Sequence, residues 1–468
     1  MTTPAASGGL VAAPGRPSDA DVLAIVLAAG KGTRMKSDRP KVLHEIAGRS
    51  MLGHVLALVG EAGIGRVAVV VGVQAEAVAQ EARRWAPAAA IHIQAEQRGT
   101  AHAVLCARSA FEAPAGTVLV LFGDTPLIRP ATISAMNRAL DGGADVVVLG
   151  FEAADPTGYG RLLTDSDGAL FAIREHKDAS DVERQVRLCN SGVMAFRVAD
   201  LAALLDEIGT ANTQGEYYLT DAIALARGRG LRLAVTVCPE AEVMGINSRA
   251  QLAEGEAIFQ ERARASAMAE GATLIAPDAV WFSYDTIVGR DVTIEPNVVF
   301  GPGVVVEDDV LIRANCHIEG ARIGRGARVG PFARLRPGAT LSEDVHVGNF
   351  VEIKNVTMGR GAKANHLAYL GDGSVGPAAN VGAGTIFCNY DGFNKHRTEI
   401  GAEAFIGSNS ALVAPVRIGD GAYVGSGSVI TSDVPSGALA VARGTQSVRE
   451  NWAKRFRERM ARHKATKA

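Results

Sequence analysis

The chain has 468 residues, and since a domain usually holds ~100–200 residues, we expect two or three domains. Hydrophobic residues make up 47% of the chain, which argues against wholesale disorder. Lys and Arg number 48 against 50 Asp and Glu, so charge gives no case for nucleic acid or a membrane surface as partner. The five cysteines are scattered without a CxxC pair, and no apolar run reaches ~18 residues. We therefore expect a cytoplasmic protein with reduced thiols and no membrane span.

The first half of the chain has the pattern of an α/β domain. Residues 1–20 are rich in Ala, Pro, Gly and Ser and are predicted to be a disordered leader. Residues 21–250 alternate apolar strands with helical stretches, which predicts a Rossmann-like domain with a mostly parallel sheet. Strands are expected at 24–30, 66–72, 117–124, 144–151 and 231–237, and helices at 51–63 and 100–111. Functional sites in such sheets lie at the carboxyl ends of the strands.

The second half has a six-residue period. Residues 248–270 lack proline and predict one long helix, of which we assign 251–271 as a linker. In 272–468 aliphatic residues recur every six positions, for example at Val288, Ile294 and Phe300, with one slip between Ile318 and Ile323. A glycine often follows the aliphatic residue. This period predicts a parallel β-helix with one hexad per side and 18 residues per coil, in which the glycine supplies the tight turn. A glycine-rich β-sandwich would not keep the phase so long.

A glycine-rich segment, LAAGKGTRMKSDRPKVL at 27–43, directly follows the first strand. Gly30 and Gly32 would let backbone N–H groups approach an anion, and Arg34 and Lys41 would clamp phosphates. Asp124 ends another strand, in FGDTPL, where a carboxylate can hold Mg²⁺ between reacting phosphates. The motif G-x-G-T-R-M followed by P-K resembles the signature of sugar-nucleotide pyrophosphorylases.

The resemblance implies a set of ligand contacts in the first domain. It extends through QAEQRGTAHAV (94–104), DPTGYGR (155–161), IREHKDAS (173–180), CNSGV, QGEYYLTD (214–221) and MGINSR. The nucleotide would be held by Leu27, Ala28, Ala29, Gly30, Lys41, Gln94, Gln97, Gly99 and Thr100. The sugar would be held by Gly160, Glu175, Asn190, Tyr218 and Thr220, with Asn247 also at the substrate. Asp124 and Asn247 would be the metal ligands, and Arg34 and Lys41 the catalytic cations.

A second concentration of reactive side chains interrupts the hexads between residues 363 and 395. His366 could act as general base on an amine, although a lone histidine is more often structural. Arg336 and Lys354 precede His366 by 30 and 12 residues, so with 18-residue coils they could grip a sugar phosphate from neighbouring coils. The segment CNYDGFNKH (388–396) breaks the phase and predicts a loop that leaves the helix wall.

Taken together, residues 22–450 resemble the bacterial bifunctional N-acetylglucosamine-1-phosphate uridyltransferases and glucosamine-1-phosphate acetyltransferases. GPFARLRPGA, HVGNFVEIKN, NHLAYLGD and NVGAGTIFCNYDG carry the resemblance in the second half. It implies a left-handed β-helix, His366 as base, and a homotrimer with acetyl-CoA sites shared between chains. Glucosamine 1-phosphate would be bound by Arg336, Lys354, Tyr369 and Asn380. Acetyl-CoA would be bound by Ala383, Asn389, Tyr390, Lys395, Ser408, Ser426 and Arg443, with Tyr390 also near the oxyanion.

The predicted activity is synthesis of UDP-N-acetylglucosamine for cell-wall precursors, by acetyl transfer and then uridyl transfer from UTP with Mg²⁺. The chain departs from the family pattern at Phe122, where tyrosine is expected, at Ala101 and at Ser426. Two alternatives are a transferase whose β-helix only regulates or assembles it, and a non-enzymatic scaffold. The basic tail at 449–467 could be a nucleic-acid arm, but a solvated helix packing on the β-helix through Trp452 is favoured.

Overall fold

The computed structural model describes residues 22–30, 32–73, 75–112, 116–166 and 168–466, so the predicted leader at 1–20 lies outside the described residues. The chain divides into two compact units between Ala263 and Arg264. We call the part up to residue 263 unit 1 and the rest unit 2. The division falls inside a helix, Arg249–Ala269, which matches the long helix predicted at 248–270. The assignment of 251–271 as a linker between domains stays a prediction.

Unit 1 alternates strands and helices along the chain. Its strands are β1 (Val22–Ala28), β2 (Glu45–Ile46), β3 (Arg49–Ser50), β4 (Arg66–Gly72), β5 (Ala90–Gln94), β6 (Thr117–Phe122), β7 (Val146–Glu152), β8 (Gly160–Thr164), β9 (Leu170–Arg174), β10 (Leu188–Arg197) and β11 (Leu233–Val237). Its helices are α1 (Met51–Glu61), α2 (Glu76–Trp85), α3 (Thr100–Cys106), α4 (Arg108–Phe111), α5 (Pro130–Asp141), α6 (Val198–Glu207), α7 (Asp221–Gly228) and the start of α8 (Arg249–Ala269).

The main sheet of unit 1 has the strand order β11-β7-β10-β6-β1-β4-β5. Its strand pairs are parallel except those of β10, which runs antiparallel to β6 and β7. Alternate residues of β1 enter two different cores, with Ala24 and Val26 on one face and Leu23 and Ile25 on the other. Both faces of the sheet are therefore covered, as expected for buried parallel strands, and the predicted α/β fold is confirmed.

One edge of this sheet collects the chain segments that carry the predicted motifs. Strands β1, β5 and β6 end at Ala28, Gln94 and Phe122, and because they run parallel these ends lie at the same edge. Asn190 lies near the start of β10, and since β10 runs in the opposite direction, its start lies at that edge too.

Unit 2 consists of short strands in regular succession. They are β12 (Thr273–Leu274), β13 (Val280–Trp281), β14 (Ile287–Val288), β15 (Thr293–Ile294), β16 (Val298–Phe300), β17 (Val305–Val306), β18 (Leu311–Ile312), β19 (His317–Ile318), β20 (Ala321–Ile323), β21 (Arg328–Val329), β22 (Arg334–Arg336), β23 (Ala339–Leu341) and β24 (His346–Asn349). They continue with β25 (Glu352–Met358), β26 (Lys363–His366), β27 (Tyr369–Val375), β28 (Asn380–Val381), β29 (Ile386–Cys388), β30 (Thr398–Ile400), β31 (Phe405–Ile406), β32 (Ala411–Val413), β33 (Val416–Ile418), β34 (Tyr423–Val424), β35 (Val429–Ile430) and β36 (Leu439–Ala440).

These strands form a parallel β-helix in which every third strand pairs with its equivalent in the next coil. One face is the ladder β12-β15-β18-β21-β24-β26-β28-β31-β34-β36. Strands β25 and β27 are seven residues long and turn a corner, so they join the two remaining faces. The first ladder points one aliphatic residue per coil inward, all between 0% and 2% exposed: Ile294, Ile312, Val329, Val347, Ala364, Val381, Ile406 and Val424. The predicted left-handed hexapeptide β-helix is confirmed.

The slip predicted between Ile318 and Ile323 is a real change in coil length. Ile294 pairs with Ile312 eighteen residues later, whereas Ile312 pairs with Val329 seventeen residues later. The inward residues stay stacked in both cases. The missing residue is therefore absorbed outside the paired positions, and the ladder is preserved.

Gly330, which follows Val329, has a φ of 95° and is a turn residue as predicted, but other glycines that follow inward residues have a different role. Gly324, Gly348 and Gly407 do not have positive φ angles, so they are not required as left-handed turn residues. Instead, a Cβ at Gly324 would lie 2.7 Å from the backbone carbon of Ser342 in the next coil. At Gly348 it would collide with the Asn365 carbonyl oxygen. Glycine is needed here because successive coils approach too closely for a side chain.

The basic tail forms a helix, α9 (Trp452–Ala465), but the predicted packing on the β-helix is wrong. All the residues of α9 are exposed. The Trp452 ring stacks on Phe456 one turn later, with ring centroids 5.0 Å apart, because positions i and i+4 share a helix face. Within the described ranges, no helix is long and apolar enough to cross a membrane.

The close approach of the coils predicts a strong effect of one methyl group. We expect Gly348→Ala to lower the free energy of unfolding by about 2–4 kcal/mol, because the added Cβ meets the next coil's backbone, which cannot move without breaking its own ladder. Guanidinium denaturation followed by circular dichroism measures the change. Gly444→Ala is the control, since nothing lies within 4 Å of a Cβ there. Equal stability of the two variants would contradict the explanation.

Candidate active sites

The glycine-rich segment forms one wall of a cavity at the functional edge of the unit 1 sheet. Gly32 has a φ of 61°, and a Cβ there would lie only 2.5 Å from the Cβ of Lys41. Glycine at this position is therefore required both by the left-handed backbone and by the closeness of Lys41. The tight turn brings the segment after β1 back against Lys41, which follows Pro40 at the start of a short 3₁₀ turn (Lys41–Leu43).

Lys41, Asp124 and Asn247 meet at this cavity although they are far apart in the sequence. The Lys41 Nζ lies 2.5 Å from the Asp124 Oδ2 and 2.9 Å from the Asn247 Oδ1. A backbone hydrogen bond places Asn247 beside Asp124, because the Ile246 N–H donates to the Asp124 carbonyl oxygen at 2.9 Å. The Lys41 and Asp124 side chains are only 10% and 18% exposed.

The predicted Mg²⁺ ligands fit a magnesium ion. A carboxylate oxygen of Asp124 and an amide oxygen of Asn247 already converge on one positive charge, the Lys41 ammonium. Mg²⁺ in nucleotide-dependent enzymes is commonly held by one or two protein oxygens, with phosphates and waters completing its shell. The two oxygens therefore match the number and type of protein ligands that a nucleotide-bound magnesium needs.

A cavity of about 270 Å³ unites most of the residues predicted to bind the nucleotide. The predicted residues that line it are Leu27, Ala28, Ala29, Gly30, Lys41, Gln94, Gln97, Gly99, Thr100 and Asp124. Phe122, which replaces the expected tyrosine, also lines it, so that part of the wall lacks a hydroxyl. Arg34 is exposed and does not line this cavity, and no described residue pairs with its guanidinium.

The orientation of the Gln94 amide can distinguish pyrimidine bases. Gln94 is 5% exposed, and its Nε2 lies 3.2 Å from both the Gly99 carbonyl oxygen and the His102 Nδ1. Both amide hydrogens can be used there, which leaves the Oε1 to accept a hydrogen bond from a ligand. Uracil offers an N–H at position 3, whereas cytosine offers only a lone pair, so the arrangement favours uracil. His102 was not predicted as a site residue.

The loop after Gln97 is held against the segment that carries Tyr218 and Thr220. A Cβ at Gly99 would collide with the backbone of Tyr217, and the Ala101 N–H donates to the Tyr217 carbonyl oxygen at 3.0 Å. The Thr100 hydroxyl accepts from the Leu219 N–H at 3.0 Å, so its oxygen braces this neighbouring segment. The predicted base-binding and sugar-binding loops are thus one connected structure.

Four of the residues predicted to bind the sugar lie together. Asn190 on β10 pairs with Gly160 on β8, and a Cβ at Gly160 would be 3.4 Å from a Glu175 carboxylate oxygen. The Thr220 hydroxyl donates to Glu175 at 3.2 Å. Burial raises the pKa of Glu175, and the hydrogen bond from Thr220 opposes this effect. The hydroxyl of the fifth residue, Tyr218, accepts from the Gln214 Nε2 at 2.8 Å.

In unit 2 the stacking of coils brings the predicted phosphate-binding cations together. Arg336 pairs directly with Lys354 on the next coil. The Arg336 guanidinium donates to Glu352 at 2.8 Å, and its Nε is buried without a partner among the described residues. Lys395 lies beside Lys354, whose positive charge lowers the pKa of Lys395. Lys395 also forms an antiparallel bridge with Tyr390, so it lies between Lys354 and a residue of the predicted acetyl-CoA set, and its contact with acetyl-CoA stays a prediction.

His366 lies exposed at a corner of the β-helix, at the end of β26. It pairs with Asn349 on the preceding coil, and its Nδ1 lies 2.7 Å from the Asn349 Oδ1. Since the Asn349 oxygen can only accept, the neutral ring carries its proton on the Nδ1 and has its lone pair on the Nε2. That is the tautomer a general base needs.

Most of the predicted acetyl-CoA residues continue from His366 along the same corner. The His366 carbonyl oxygen accepts from Gly384, the Ala383 oxygen from Asn409, and the Ser408 oxygen from Gly427. His366, Ala383, Ser408 and Ser426 are thus equivalent positions on successive coils. Arg443 donates to the Ser426 carbonyl oxygen at 2.6 Å. This line is accessible and provides an extended edge for a long ligand that begins at the histidine.

The predicted excursion at 388–396 is confirmed, and it separates two adjacent residues. Tyr369 pairs with Ile386 but Gly373 pairs with Thr398, so the intervening residues leave the wall. Asn389 is 6% exposed at the base of the loop, with its Nδ2 2.6 Å from the Asp372 Oδ2. Tyr390 is 60% exposed, and its hydroxyl donates to the Gly392 carbonyl oxygen.

Asn380 is not joined to the other predicted sugar-binding residues. It pairs with Lys363 and Phe405 in the ladder that contains β26, three residues before the corner position of Ala383. None of the contacts among the described residues connects it to Arg336, Lys354 or Tyr369.

Sequence reasoning missed Asn349, Glu352 and Asp372. Each supports a predicted residue one coil away: Asn349 contacts His366, Glu352 contacts Arg336, and Asp372 contacts Lys354. The signal was present, because the separations of 17, 16 and 18 residues are close to one coil. Applying the coil length to polar residues as well as to aliphatic ones would have found them.

Comparison with known proteins gives one family for a segment of unit 1 and another for two segments of unit 2. Residues 24–188 match the MobA-like NTP transferase domain family, and residues 285–320 and 397–432 match the bacterial transferase hexapeptide family. The chain is 60% identical over 440 residues to the bifunctional protein GlmU of Azorhizobium caulinodans, covering 94% of this chain and 98% of the relative. It is 58% identical over 440 residues to the GlmU of Xanthobacter autotrophicus, with the same coverage.

These matches confirm the prediction of an enzyme that combines a nucleotidyltransferase domain with a hexapeptide acetyltransferase domain to make UDP-N-acetylglucosamine. They set aside both the purely regulatory β-helix and the non-enzymatic scaffold. With both domains present and the similarity extending over nearly the whole chain, the chain belongs to the family of bifunctional GlmU proteins.

Proposed function

We propose that each step of UDP-N-acetylglucosamine synthesis occurs at one of the two sites described above. Glucosamine 1-phosphate is acetylated at the corner of the β-helix, and the product is joined to UMP from UTP at the cavity of unit 1. The observation that carries the proposal is the continuous line from His366 through Ala383, Ser408 and Ser426, which joins a base of the right tautomer to an extended ligand edge. We further propose that the product supplies peptidoglycan and lipopolysaccharide precursors.

In the acetyl transfer, Arg336, Lys354 and Lys395 hold the sugar phosphate, and the 2-amino group faces the His366 Nε2. His366 takes a proton as the amine nitrogen attacks the thioester carbonyl carbon. The carbon–sulfur bond then breaks and coenzyme A leaves as the thiol after gaining a proton. Acetyl-CoA lies along the corner line, and Tyr390 can reach the oxyanion only after its hydroxyl leaves the Gly392 carbonyl oxygen.

In the uridyl transfer, an oxygen of the N-acetylglucosamine 1-phosphate attacks the α-phosphorus of UTP, and pyrophosphate leaves. Gln94 selects uracil through its free Oε1, and Gly160, Glu175, Asn190 and Thr220 hold the sugar. Asp124 and Asn247 would hold Mg²⁺, which neutralises charge on the reacting phosphates when bound. Lys41, no longer needed as the partner of Asp124, turns its ammonium towards the phosphates together with Arg34. This site works mainly by positioning and charge neutralisation.

We also propose a homotrimer in the cytoplasm. Three exposed apolar residues, Phe332, Phe350 and Leu367, stack on the corner that carries His366 and are 50%, 55% and 59% exposed. A contiguous apolar patch of this kind favours a protein partner, and the hexapeptide repeats favour a trimer. Asn380 does not contact Arg336, Lys354 or Tyr369 of its own chain, so the Asn380 at the sugar could come from a neighbouring chain. The five free cysteines support a reducing compartment.

The first of three predictions about function separates the two activities. With glucosamine 1-phosphate, acetyl-CoA, UTP and Mg²⁺, we expect mass spectrometry to find UDP-N-acetylglucosamine from the wild type. Asp124→Ala should stop at N-acetylglucosamine 1-phosphate, with uridyl transfer reduced at least ~100-fold because a metal ligand is lost. Asp141→Ala, an exposed aspartate at the end of α5, is the matched control. Loss of both activities in folded Asp124→Ala would refute the two-site assignment.

The second prediction concerns the base. His366→Ala should lower the kcat of acetyl transfer ~100-fold or more at neutral pH, because most of the substrate amine is then protonated. The rate should recover partly as pH rises and free amine accumulates, while uridyl transfer stays unchanged. The control is His317→Ala, an exposed histidine on the same β-helix. A near-normal kcat in His366→Ala at neutral pH would show that the histidine is structural.

The third prediction concerns assembly. Sedimentation should give three times the chain mass of 48.7 kDa for the wild type. Phe350→Asp should dissociate the assembly, because a charge would be buried in the apolar contact. A monomeric wild type with full acetyl transfer would contradict the trimer.

A further inference from the structure

Asp372 is a buried carboxylate that the mechanism above does not use. It is 6% exposed and lies at a β-helix corner with a φ of 54°. Its Oδ1 accepts from Lys354 at 3.1 Å and from the Asn355 Nδ2 at 2.8 Å, and its Oδ2 accepts from the Asn389 Nδ2 at 2.6 Å. Both oxygens of this buried carboxylate are hydrogen-bonded, and they link Lys354, which is predicted to bind phosphate, to Asn389 at the base of the 388–396 loop.

Asp372 is held in its ionised form. Burial alone would raise the pKa of the Asp372 carboxyl, but the hydrogen bonds from Asn355, Lys354 and Asn389 outweigh it and hold the pKa below its usual value. An ionised carboxylate can only accept hydrogen bonds. Each amide that touches Asp372 must therefore present its NH₂ group to it.

This requirement determines which way the Asn389 side chain points. With its Nδ2 turned to Asp372, the Asn389 Oδ1 faces the opposite side, where it has no partner among the described residues. The neighbouring side chains are those predicted to hold the sugar. A Cβ at Gly371 would lie 2.5 Å from the Tyr369 hydroxyl and 2.8 Å from the Asn389 Nδ2, so the absence of a side chain lets both groups approach. Asn389 thus belongs with Lys354 and Tyr369 at the sugar.

We propose that Asp372 is a positioning residue for acetyl transfer, which orients Asn389 so that its Oδ1 accepts a hydrogen bond from the 2-amino group of the sugar. A neutral amine carries two hydrogens and one lone pair. Engaging one N–H on Asn389 while His366 takes the proton lost on attack directs the lone pair towards the thioester. Asn389, predicted to bind acetyl-CoA, then touches the nucleophile instead. This inference rests on the proposed acetyl-transfer site.

Exchanging the two side chains tests the orientation directly. In D372N the new amide can donate or accept, so Asn389 loses its fixed orientation, and kcat should fall about 10-fold to 100-fold, as for loss of a hydrogen bond to a charged group. In N389D two carboxylates would lie within hydrogen-bond distance, and kcat should fall at least as far. In D372N/N389D a donor again faces an acceptor and an oxygen still faces the amine, so kcat should recover at least about 10-fold over N389D.

The measurements are kcat and KM for acetyl transfer by the full-length protein, with uridyl transfer and sedimentation on the same preparations. The KM for acetyl-CoA should stay within about 2-fold throughout, since the corner line is untouched. D420N is the matched control: it removes a β-helix turn carboxylate that accepts only from the Ala402 N–H within the described part of the chain. All its rates should match the wild type within about 2-fold.

Two results would overturn the inference: a kcat for D372N within about 2-fold of wild type, or a double variant no faster than N389D. If D372N does not fold, Asn389→Ala takes its place, because it removes the acceptor while leaving Asp372 paired with Lys354 and Asn355. Normal kcat in Asn389→Ala would equally refute the proposal. Failure of the wild type to acetylate glucosamine 1-phosphate would instead refute the proposed function itself.

Discussion

The backbone hydrogen bonds between successive coils are the constraint on which the second active site depends. Before the 388–396 loop they place a residue beside the one 17 or 18 positions earlier, so that Arg336 meets Lys354 and Asn349 meets His366. The same bonds turn the corner residues after His366 into an extended edge. The proposed base and the proposed ligand edge therefore both depend on the repeat, and glycine at positions such as Gly348 lets the coils approach this closely.

Both candidate sites hold a lysine against a carboxylate. Lys41 lies against Asp124 and Lys354 against Asp372, all with limited exposure. An unpaired ammonium in such a setting would cost more free energy than a paired one, because removing one partner of a buried ion pair leaves an uncompensated charge. The pairing also fixes each lysine in a defined direction. In unit 1 the same oxygens suit a metal ion, whereas in unit 2 the carboxylate is also committed to two amides.

Most of the predictions made from the sequence depended on the six-residue repeat and on the motifs. The structure differs from the remaining predictions for reasons that can be named. The hexads predicted the β-helix because one inward side chain per side is a local requirement repeated many times. The turn role assigned to the glycines holds at Gly330 but not at Gly324 or Gly348, because a local turn and a close contact with the next coil both require the same residue type. The tail was expected to pack through Trp452, but one helical turn already provides Phe456 as a partner. The resemblance assigned Asn389 and Tyr390 to one acetyl-CoA set, and in the structure one of them is buried while the other projects on the loop.

The two architectures, the order of the motifs and the identity of the reactive side chains can be predicted from the sequence, because these depend on local period and on residue type. Which of these side chains meet, and how they are oriented, depends on the folding of distant segments against one another. Lys41, Asp124 and Asn247 come from three distant segments. They meet because β1 and β6 end at the same edge of the sheet and because the Ile246 N–H donates to the Asp124 carbonyl oxygen. The free lone pair of His366 and the direction of the Asn389 amide likewise follow from Asn349 and Asp372, which act across coils. Hydrogen-bond direction is a property of pairs in space; the coil length can identify such pairs in unit 2, whereas no period connects Lys41, Asp124 and Asn247 in unit 1.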